Sequence, residues 1–388
     1  MRVLIAGGGT GGHLYPGIAV AEEVMARAGG EVLFVGTTRG IEARVVPAAG
    51  YPLELLEVSG LKRMGLWRTL RGLGRVPVAL VRSLAIVRRF KPDVVLGVGG
   101  YASGPMVLAA ALAGYPTAIQ EQNSQPGFTN RVLGRFVRRV FVAFDDARAF
   151  FAASKTLLVG NPVRRRFLEA STAASTSAGA PSGGAPIAAP PTNSTVLVVG
   201  GSQGARAVND LVIGAAAVLH KDGRLPRLVH QTGATDEARV RERYAALGLG
   251  DVVQVRPFID DMPAALAAAA LVVGRAGALT LAELAMIGRP AILIPLPTAA
   301  ADHQSRNAAE FARAGAAIVA DQRTTTPNDL ARLIADLFAD APRRLEMSRA
   351  MASRGRPRAA GEIVDEIERI VAARSSSSTS ASGAVGPN

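Results

Sequence analysis

A unit of short apolar run, glycine-rich turn and helical pattern recurs along this chain, and that recurrence constrains its fold more than any other feature. The first turn is Gly7-Gly8-Gly9-Thr10-Gly11-Gly12-His13, between the apolar run Arg2–Ala6 and a helical pattern from Ile18 to Ala28. A second apolar run, Val32–Val35, follows, and Asp93–Val98 repeats the scheme before breaking at Gly99-Gly100. Strands alternating with helices predict a parallel, doubly wound sheet. The scheme restarts at Thr195–Val199, with a turn at Gly200–Gly204 and a helix over Ala205–Leu219. Two more strand-and-turn units stand at Leu271–Gly277 and Ala291–Pro295. The predicted fold class is therefore α/β, with two Rossmann-like doubly wound domains.

Length and composition agree with two cores. The chain has 388 residues, 49% of them apolar, which is too long for one ordinary core. Between Ser171 and Ser194 the composition shifts abruptly to Ala, Ser, Thr, Gly and Pro. Such a stretch buries too little apolar surface to offset its ordering entropy. The expected layout is an N-terminal domain over 1–165, a flexible linker over 166–194 and a second domain over 195–342. Residues 343–373 form a C-terminal helix, and the serine-rich tail 374–388 is expected to be disordered.

Other classes are excluded or disfavoured. With no cysteine, disulfides, thiolate chemistry and cysteine-ligated zinc are out of reach. Only four apolar residues, Val3–Ala6, follow Arg2, short of the roughly 7–15 of a secretory h-region. Pro105–Ala113 and Met262–Val273 fall short of the roughly 20 residues that span a bilayer. The chain is expected to be cytoplasmic and not membrane-spanning. Its net charge of +13 is carried almost wholly by arginine, so it reads equally as an anionic partner or as coding bias.

Each glycine loop has a chemical reading. In Gly7–His13, glycines admit a close ligand and the helix N-terminus offers N–H groups to an anion. Gly7, Gly9 and Gly12 satisfy the dinucleotide fingerprint, but Gly36-Thr37-Thr38-Arg39 replaces the acidic residue expected after the second strand, which disfavours a nicotinamide cofactor. In the loop Gly200–Gly204, the Ser202 hydroxyl suits a phosphate oxygen. The third loop, Gly274–Thr280, carries Arg275 for a diphosphate and leads to Glu283 for ribose hydroxyls; the bland alternative for Glu283 is an exposed carboxylate favoured by the helix dipole. Loops at strand C-termini make a good site for a nucleotide-linked substrate. His13, His220, His230 and His303 show no paired spacing, and neither Asp145-Asp146 nor Asp260-Asp261 is a D-x-D motif, so no metal and no cofactor are expected.

At these residues the chain resembles a known family. Its motifs are Gly8–His13, Pro92–Gly97, Gly99-Gly100-Tyr101, Ser103-Gly104-Pro105, Glu121-Gln122-Asn123 and Gly160–Arg164. They continue, in order, with Gly200–Ala205, Phe258–Met262 and Gly277–Thr280. The family is that of the peptidoglycan enzymes that transfer N-acetylglucosamine from UDP-GlcNAc to undecaprenyl-diphospho-N-acetylmuramoyl-pentapeptide (the MurG family). The resemblance implies the GT-B architecture, two such domains with the site in the cleft between them, and a C-terminal helix that returns to the first domain. It implies uridine near Ile259, ribose on Glu283 and the donor diphosphate on Ser202. Arg164, Asn123, Ala278, Leu279, Thr280, Leu281, Ala282 and Gln304 would frame the diphosphate and sugar. Thr10, Gly11 and Gly12 would face the reacting centre and the acceptor's diphosphate. Where the family usually has histidine before Glu-Gln-Asn, this chain has Gln120, which cannot act as a base.

The implied reaction is an inverting displacement at C1 of GlcNAc by the 4-hydroxyl of the acceptor sugar, with UDP leaving. A positioned base helps a neutral alcohol attack. His13 is the candidate, since an ordinary imidazole titrates near 6.5; its alternative role is to hold the loop by hydrogen bonds. Two rival functions stay open. One is a UDP-GlcNAc 2-epimerase or another glycolipid-forming glycosyltransferase of this architecture; the other is a non-catalytic nucleotide-sugar-binding scaffold for cell-wall synthesis proteins.

A lipid acceptor implies a docking surface. No acidic residue lies between Val58 and Pro92, while Lys62, Arg63, Arg68, Arg71, Arg75, Arg82, Arg88, Arg89 and Lys91 are basic. Leu66, Trp67, Leu70, Leu73, Val78, Val81, Leu84 and Phe90 interleave with them. Basic residues flanking an apolar stripe suit an anionic bilayer surface, whereas the plain reading is ordinary helix core with solvated arginines. No aromatic stacking set accompanies the patch, which argues against nucleic acid.

Overall fold

The computed structural model describes residues 1–38, 40–57, 66–176, 195–201, 204–299 and 302–382, without the side chains of 66–76, 173–176 and 375–382. The chain divides into two compact units, residues 1–164 with 358–388, and residues 165–357.

The first unit is built on a seven-stranded parallel sheet. Its strands are β1 (Arg2–Gly7), β2 (Glu31–Thr37), β3 (Leu53–Leu56), β4 (Val94–Gly99), β5 (Thr117–Glu121), β6 (Arg139–Val142) and β7 (Thr156–Leu158), in the order β3-β2-β1-β4-β5-β6-β7. Both faces are covered, as all-parallel sheets require. Val3 and Ile5 of β1 face the core shared with Leu14, Ile18 and the C-terminal Ile363, Val364 and Ile367. Leu4 and Ala6 face the opposite layer with Ile86, Val87, Met106 and Val107. The alternation is the period-2 pattern of a strand with each face packed against helices.

The second unit repeats the plan with six strands. They are β8 (Thr195–Val199), β9 (Arg227–Gln231), β10 (Val253–Arg256), β11 (Leu271–Gly274), β12 (Ala291–Leu293) and β13 (Ala317–Val319), in the order β10-β9-β8-β11-β12-β13. In each sheet the order reverses beside the first strand, between β1 and β4 and between β8 and β11. In a doubly wound fold that reversal opens a crevice outside the strand C-termini, where ligands bind. Both doubly wound sheets are thus as the sequence predicts.

Several local expectations are corrected. Arg165–Thr176 is helix, although 166–194 was expected as linker; Phe167 is fully buried, and the helix packs on the helices Met262–Ala268 and Ala278–Ile287 of its own unit. Once nucleated by that packing, a helix extends cheaply into an Ala/Ser/Thr stretch. The remainder of the expected linker, 177–194, lies outside the described residues. The stretch 343–373 is not one helix. Ala341–Ala352 stays in the second unit with Met347 and Met351 buried, and Gly355 and Pro357 interrupt the chain. Only Ala359–Ser382 belongs to the first unit. It packs on Gly11–Ala26, where Arg27 pairs with Asp365 and Glu368 at 2.7 Å each. That helix runs to Ser382, into the tail expected to be disordered, and 383–388 lie outside the described residues.

Candidate active site

The first glycine loop is shorter than its sequence suggests. Gly11, Gly12 and His13 form the first turn of the helix Gly11–Ala26, which leaves Gly8–Thr10 as the loop proper. Gly8 (φ +142°) and Gly9 (φ +89°) hold backbone angles that side-chain-bearing residues rarely adopt. Gly8 N–H donates to Gly99 O at 3.2 Å, tying this loop to the turn after β4. A methyl at Gly99 would strike the His13 ring, so the two loops meet around His13. Thr10 Oγ1 lies 3.3 Å from His13 Nδ1. The hydrogen bond of the loop-holding role is therefore present, and it also orients the ring.

Glu42, which the sequence reading missed, locks this loop from beneath. It is fully buried at the start of the helix Glu42–Ala48. Its Oε2 accepts from Gly9 N at 2.7 Å, and its Oε1 accepts from Thr37 N at 2.8 Å and Thr37 Oγ1 at 2.7 Å. The acidic residue absent from the end of β2 is thus supplied a few positions later and spent on the protein's own backbone. Gly36 and Gly40, bracketing Thr37 in the sequence, were the available signal.

Glu121-Gln122-Asn123 ends β5 as a buried polar network. Glu121 accepts from Asn123 N at 3.0 Å, Asn123 Nδ2 at 3.3 Å, Gly127 N at 3.2 Å and Asn130 Nδ2 at 2.8 Å. Burial pushes its carboxyl above the usual range, against the pull of those four donors. Its role is to hold Asn123, which remains half-buried at the sheet edge. Gln122 donates to Val98 O at 2.7 Å and to Gln120 Oε1, while Gln120 donates to Asn161 at 3.2 Å. Gln120 is fully buried and serves as a strut. Arg164 stacks on Tyr15, with its guanidinium carbon 4.0 Å from the ring centroid. Tyr15, also missed, lies two residues beyond His13, so this cation–π contact draws Arg164 toward the same helix. The first unit thereby gathers Thr10–His13, Asn123 and Arg164 at the C-terminal edge of its sheet.

In the second unit the expected donor residues follow successive strands. Ser202 lies outside the described residues. Its flanking glycines have φ +87° (Gly201) and +74° (Gly204), and a methyl at Gly204 would overlap Thr232 O at 2.5 Å. Ile259 is half-buried after β10. After β11, Ala278 to Glu283 form the first turns of the helix Ala278–Ile287, with Leu281 fully buried and Leu279, Thr280 and Ala282 partly open. Glu283 is only 8% exposed, so it is not the solvated first-turn carboxylate of the bland alternative. Gln304 Oε1 accepts from Leu296 N at 3.0 Å, which places it beside the end of β12. Arg275 differs from expectation: its guanidinium donates to Ile294 O at 3.0 Å and Pro295 O at 3.2 Å, and burial pushes its pKa down. It braces the third loop through those carbonyls.

His230 is structural. Fully buried, it meets Tyr244 Oη at 2.9 Å and Asn209 Oδ1 at 3.1 Å. Burial pushes its imidazole down to about 3, so it is neutral at physiological pH.

On the helix Leu66–Phe90, Ala79, Ser83, Ile86 and Val87 face inward, while Val78 and Val81 stand 53% and 68% exposed. The stripe therefore divides between core and surface. Arg82 is exposed and pairs with Glu57 at 3.2 Å. Leu66, Trp67, Leu70, Arg71 and Arg75 lie on the helix, but their side chains are outside the described residues. Among the described residues no helix is long and apolar enough to cross a membrane.

Two doubly wound units with glycine loops at their strand C-termini define a class, and comparison with known proteins narrows it. Residues 3–142 match the glycosyltransferase family 28 N-terminal domain, and residues 195–363 match the family 28 C-terminal domain. The UDP-N-acetylglucosamine–N-acetylmuramyl-(pentapeptide) pyrophosphoryl-undecaprenol N-acetylglucosamine transferase of Anaeromyxobacter dehalogenans (strain 2CP-C) is 49% identical over 376 residues, 96% of this chain and 94% of that protein. A crystal structure of Acinetobacter baumannii MurG superposes with a TM-score of 0.74 at 31% identity, covering 95% of this chain and 99% of that one. A putative UDP-N-acetylglucosamine 2-epimerase from Listeria monocytogenes reaches a TM-score of 0.66 at 14% identity, covering 95% of each chain, a likeness of fold alone. The chain belongs to glycosyltransferase family 28, and within it to the group of the Anaeromyxobacter transferase.

Proposed function

We propose that this chain transfers N-acetylglucosamine from UDP-GlcNAc to the 4-hydroxyl of undecaprenyl-diphospho-N-acetylmuramoyl-pentapeptide, with inversion at C1. The observation that carries the reading is the 49% identity, along nearly the whole chain, to a transferase named for that reaction. The second unit takes the donor: Ile259 beside uridine, Glu283 on the ribose, Ser202 on the diphosphate, and Ala278–Ala282 with Gln304 around the sugar. The first unit takes the acceptor, with Thr10–Gly12 against its diphosphate and Asn123 and Arg164 toward the donor's diphosphate and sugar.

In the transfer step the acceptor oxygen forms a bond to C1 as the bond from C1 to the β-phosphate oxygen breaks. The hydroxyl proton passes to His13, and UDP departs with both electrons of the broken bond. Helix N-termini and arginine offset the charge that develops on the diphosphate, each well-placed donor contributing about 3 kcal/mol in comparable sites. The enzyme works at the cytoplasmic face of the membrane, docked peripherally through the helix Leu66–Phe90 on anionic lipid. The outward-facing Val78 and Val81 beside Arg82 support that surface.

The test is incubation with labelled UDP-GlcNAc, alone and with the lipid-linked muramoyl-pentapeptide. Label is expected in the lipid only when acceptor is present. Release of an epimerised sugar from donor alone would favour the epimerase reading instead.

A further inference from the structure

The buried Glu42 carboxylate has no part in the transfer step as written, yet three glycines are kept bare around it. A Cβ at Gly8, Gly36 or Gly40 would overlap its carboxylate or the carbon next to it. Gly8 belongs to the first loop, while the other two flank Thr37. The carboxylate therefore lies between the ends of β1 and β2 and joins them. One oxygen is held by the backbone and hydroxyl of Thr37, the other by Gly9 N–H. In a dinucleotide-binding loop such N–H groups face a phosphate. Here Gly9 N–H is already committed to a carboxylate of the protein itself.

We infer that Glu42 is a positioning residue for glycosyl transfer: it fixes Gly9 in its left-handed conformation and through it the pose of Thr10 and His13. The path is short. Thr10 follows Gly9 directly, its carbonyl accepts from His13 N at 3.2 Å and Leu14 N at 3.1 Å, and its hydroxyl meets the His13 ring. Gly99 bounds that ring from the other side. Glu42 thus straps the loop that carries Thr10, and Gly99 packs close against the ring that Thr10 meets. The inference rests on His13 as the base.

Glu42→Gln keeps size and shape but loses one acceptor oxygen, so its amide N–H₂ opposes either Gly9 N–H or the Thr37 donors. Thr37→Val serves as the control, since it removes one buried hydrogen bond and leaves the Gly9 strap intact. With lipid-linked acceptor and well below the melting temperature, E42Q is expected to lower kcat about 10- to 100-fold, the scale on which ångström misplacement acts. UDP affinity should move little, because the uridine and ribose are assigned to Ile259 and Glu283 of the other unit. T37V should melt earlier with kcat near wild type. If E42Q does not fold, Gly40→Ala replaces it, since the added methyl displaces the oxygen bonded to Gly9. Wild-type kcat in E42Q, or in G40A standing in for it, overturns the inference, as do kcat losses in E42Q and T37V that simply follow their melting temperatures. His13→Ala, run alongside, separates the two levels. Near-normal turnover there removes the base reading and this inference with it. Lost turnover in H13A with full turnover in E42Q overturns the inference alone.

Discussion

Among single residues, His230 gives a pH dependence whose sign is fixed by its surroundings. Its folded pKa of about 3 lies below the ordinary 6.5, so between those values the unfolded chain holds a proton that the folded chain excludes. Stability is therefore level above about 6.5 and falls as pH drops through this window, by about 1.4 kcal/mol per pH unit for one such group. Asp236, held down to about 2 chiefly by the Arg239 hydrogen bond, adds its own loss only below its ordinary 3.8. Urea unfolding at pH 7 and pH 5 should show the decline, and His230→Gln should flatten it; an equal slope in the variant contradicts the assignment. This role was not legible in the sequence, where His230 was one of four scattered histidines. Burial assigns it, because the Asn209 and Tyr244 partners lie on the helices before and after its strand and meet it only in the folded unit. Glu42 and Tyr15 were hidden for the same reason, their partners being set by tertiary packing. His13, in contrast, stood out because it closes a glycine loop at a strand end, the edge where ligands bind, whereas Thr10 and Asn123 were implied by the family resemblance.

The helix Leu66–Phe90 shows what element-scale patterning can and cannot say. Its apolar and basic residues interleave, and residues Leu66–Phe90 of that stretch form one helix. Periodicity alone could not tell which apolar residues turn outward, since a core stripe and a docking stripe share the same spacing. Burial separates them: Ile86 and Val87 pack within, while Val78 and Val81 face out. Val81→Asp should therefore leave folding intact and weaken binding to anionic vesicles several-fold, with donor affinity unchanged. Co-sedimentation with anionic and neutral vesicles checks it; equal binding to both, or an unaffected variant, contradicts a docking role. The helix Arg165–Thr176 teaches the opposite lesson. Its Ala/Ser/Thr composition resembled a linker, but buried Phe167 anchors it to two helices, and packing overrode composition.

For the whole molecule, the doubling of one plan was legible because strand, glycine turn and helix recur with the same chemistry in each half. The discontinuity of the first unit was less so. Ala359–Ser382 completes a core begun by Val3 and Ile5, through Ile363, Val364 and Ile367, and no local pattern signals that the chain's last helix serves its first sheet. The central proposal is a division of labour: the first unit supplies the base, and the second holds the donor's uridine and ribose. The most direct measurement compares turnover on the lipid-linked acceptor with UDP affinity in His13→Ala and Glu283→Ala. The expected result is a split, with H13A losing about 10²- to 10⁴-fold in turnover, the range of a general base, while binding UDP normally. E283A should bind UDP more weakly. Near-normal turnover in H13A, or unchanged UDP affinity in E283A, would contradict the account.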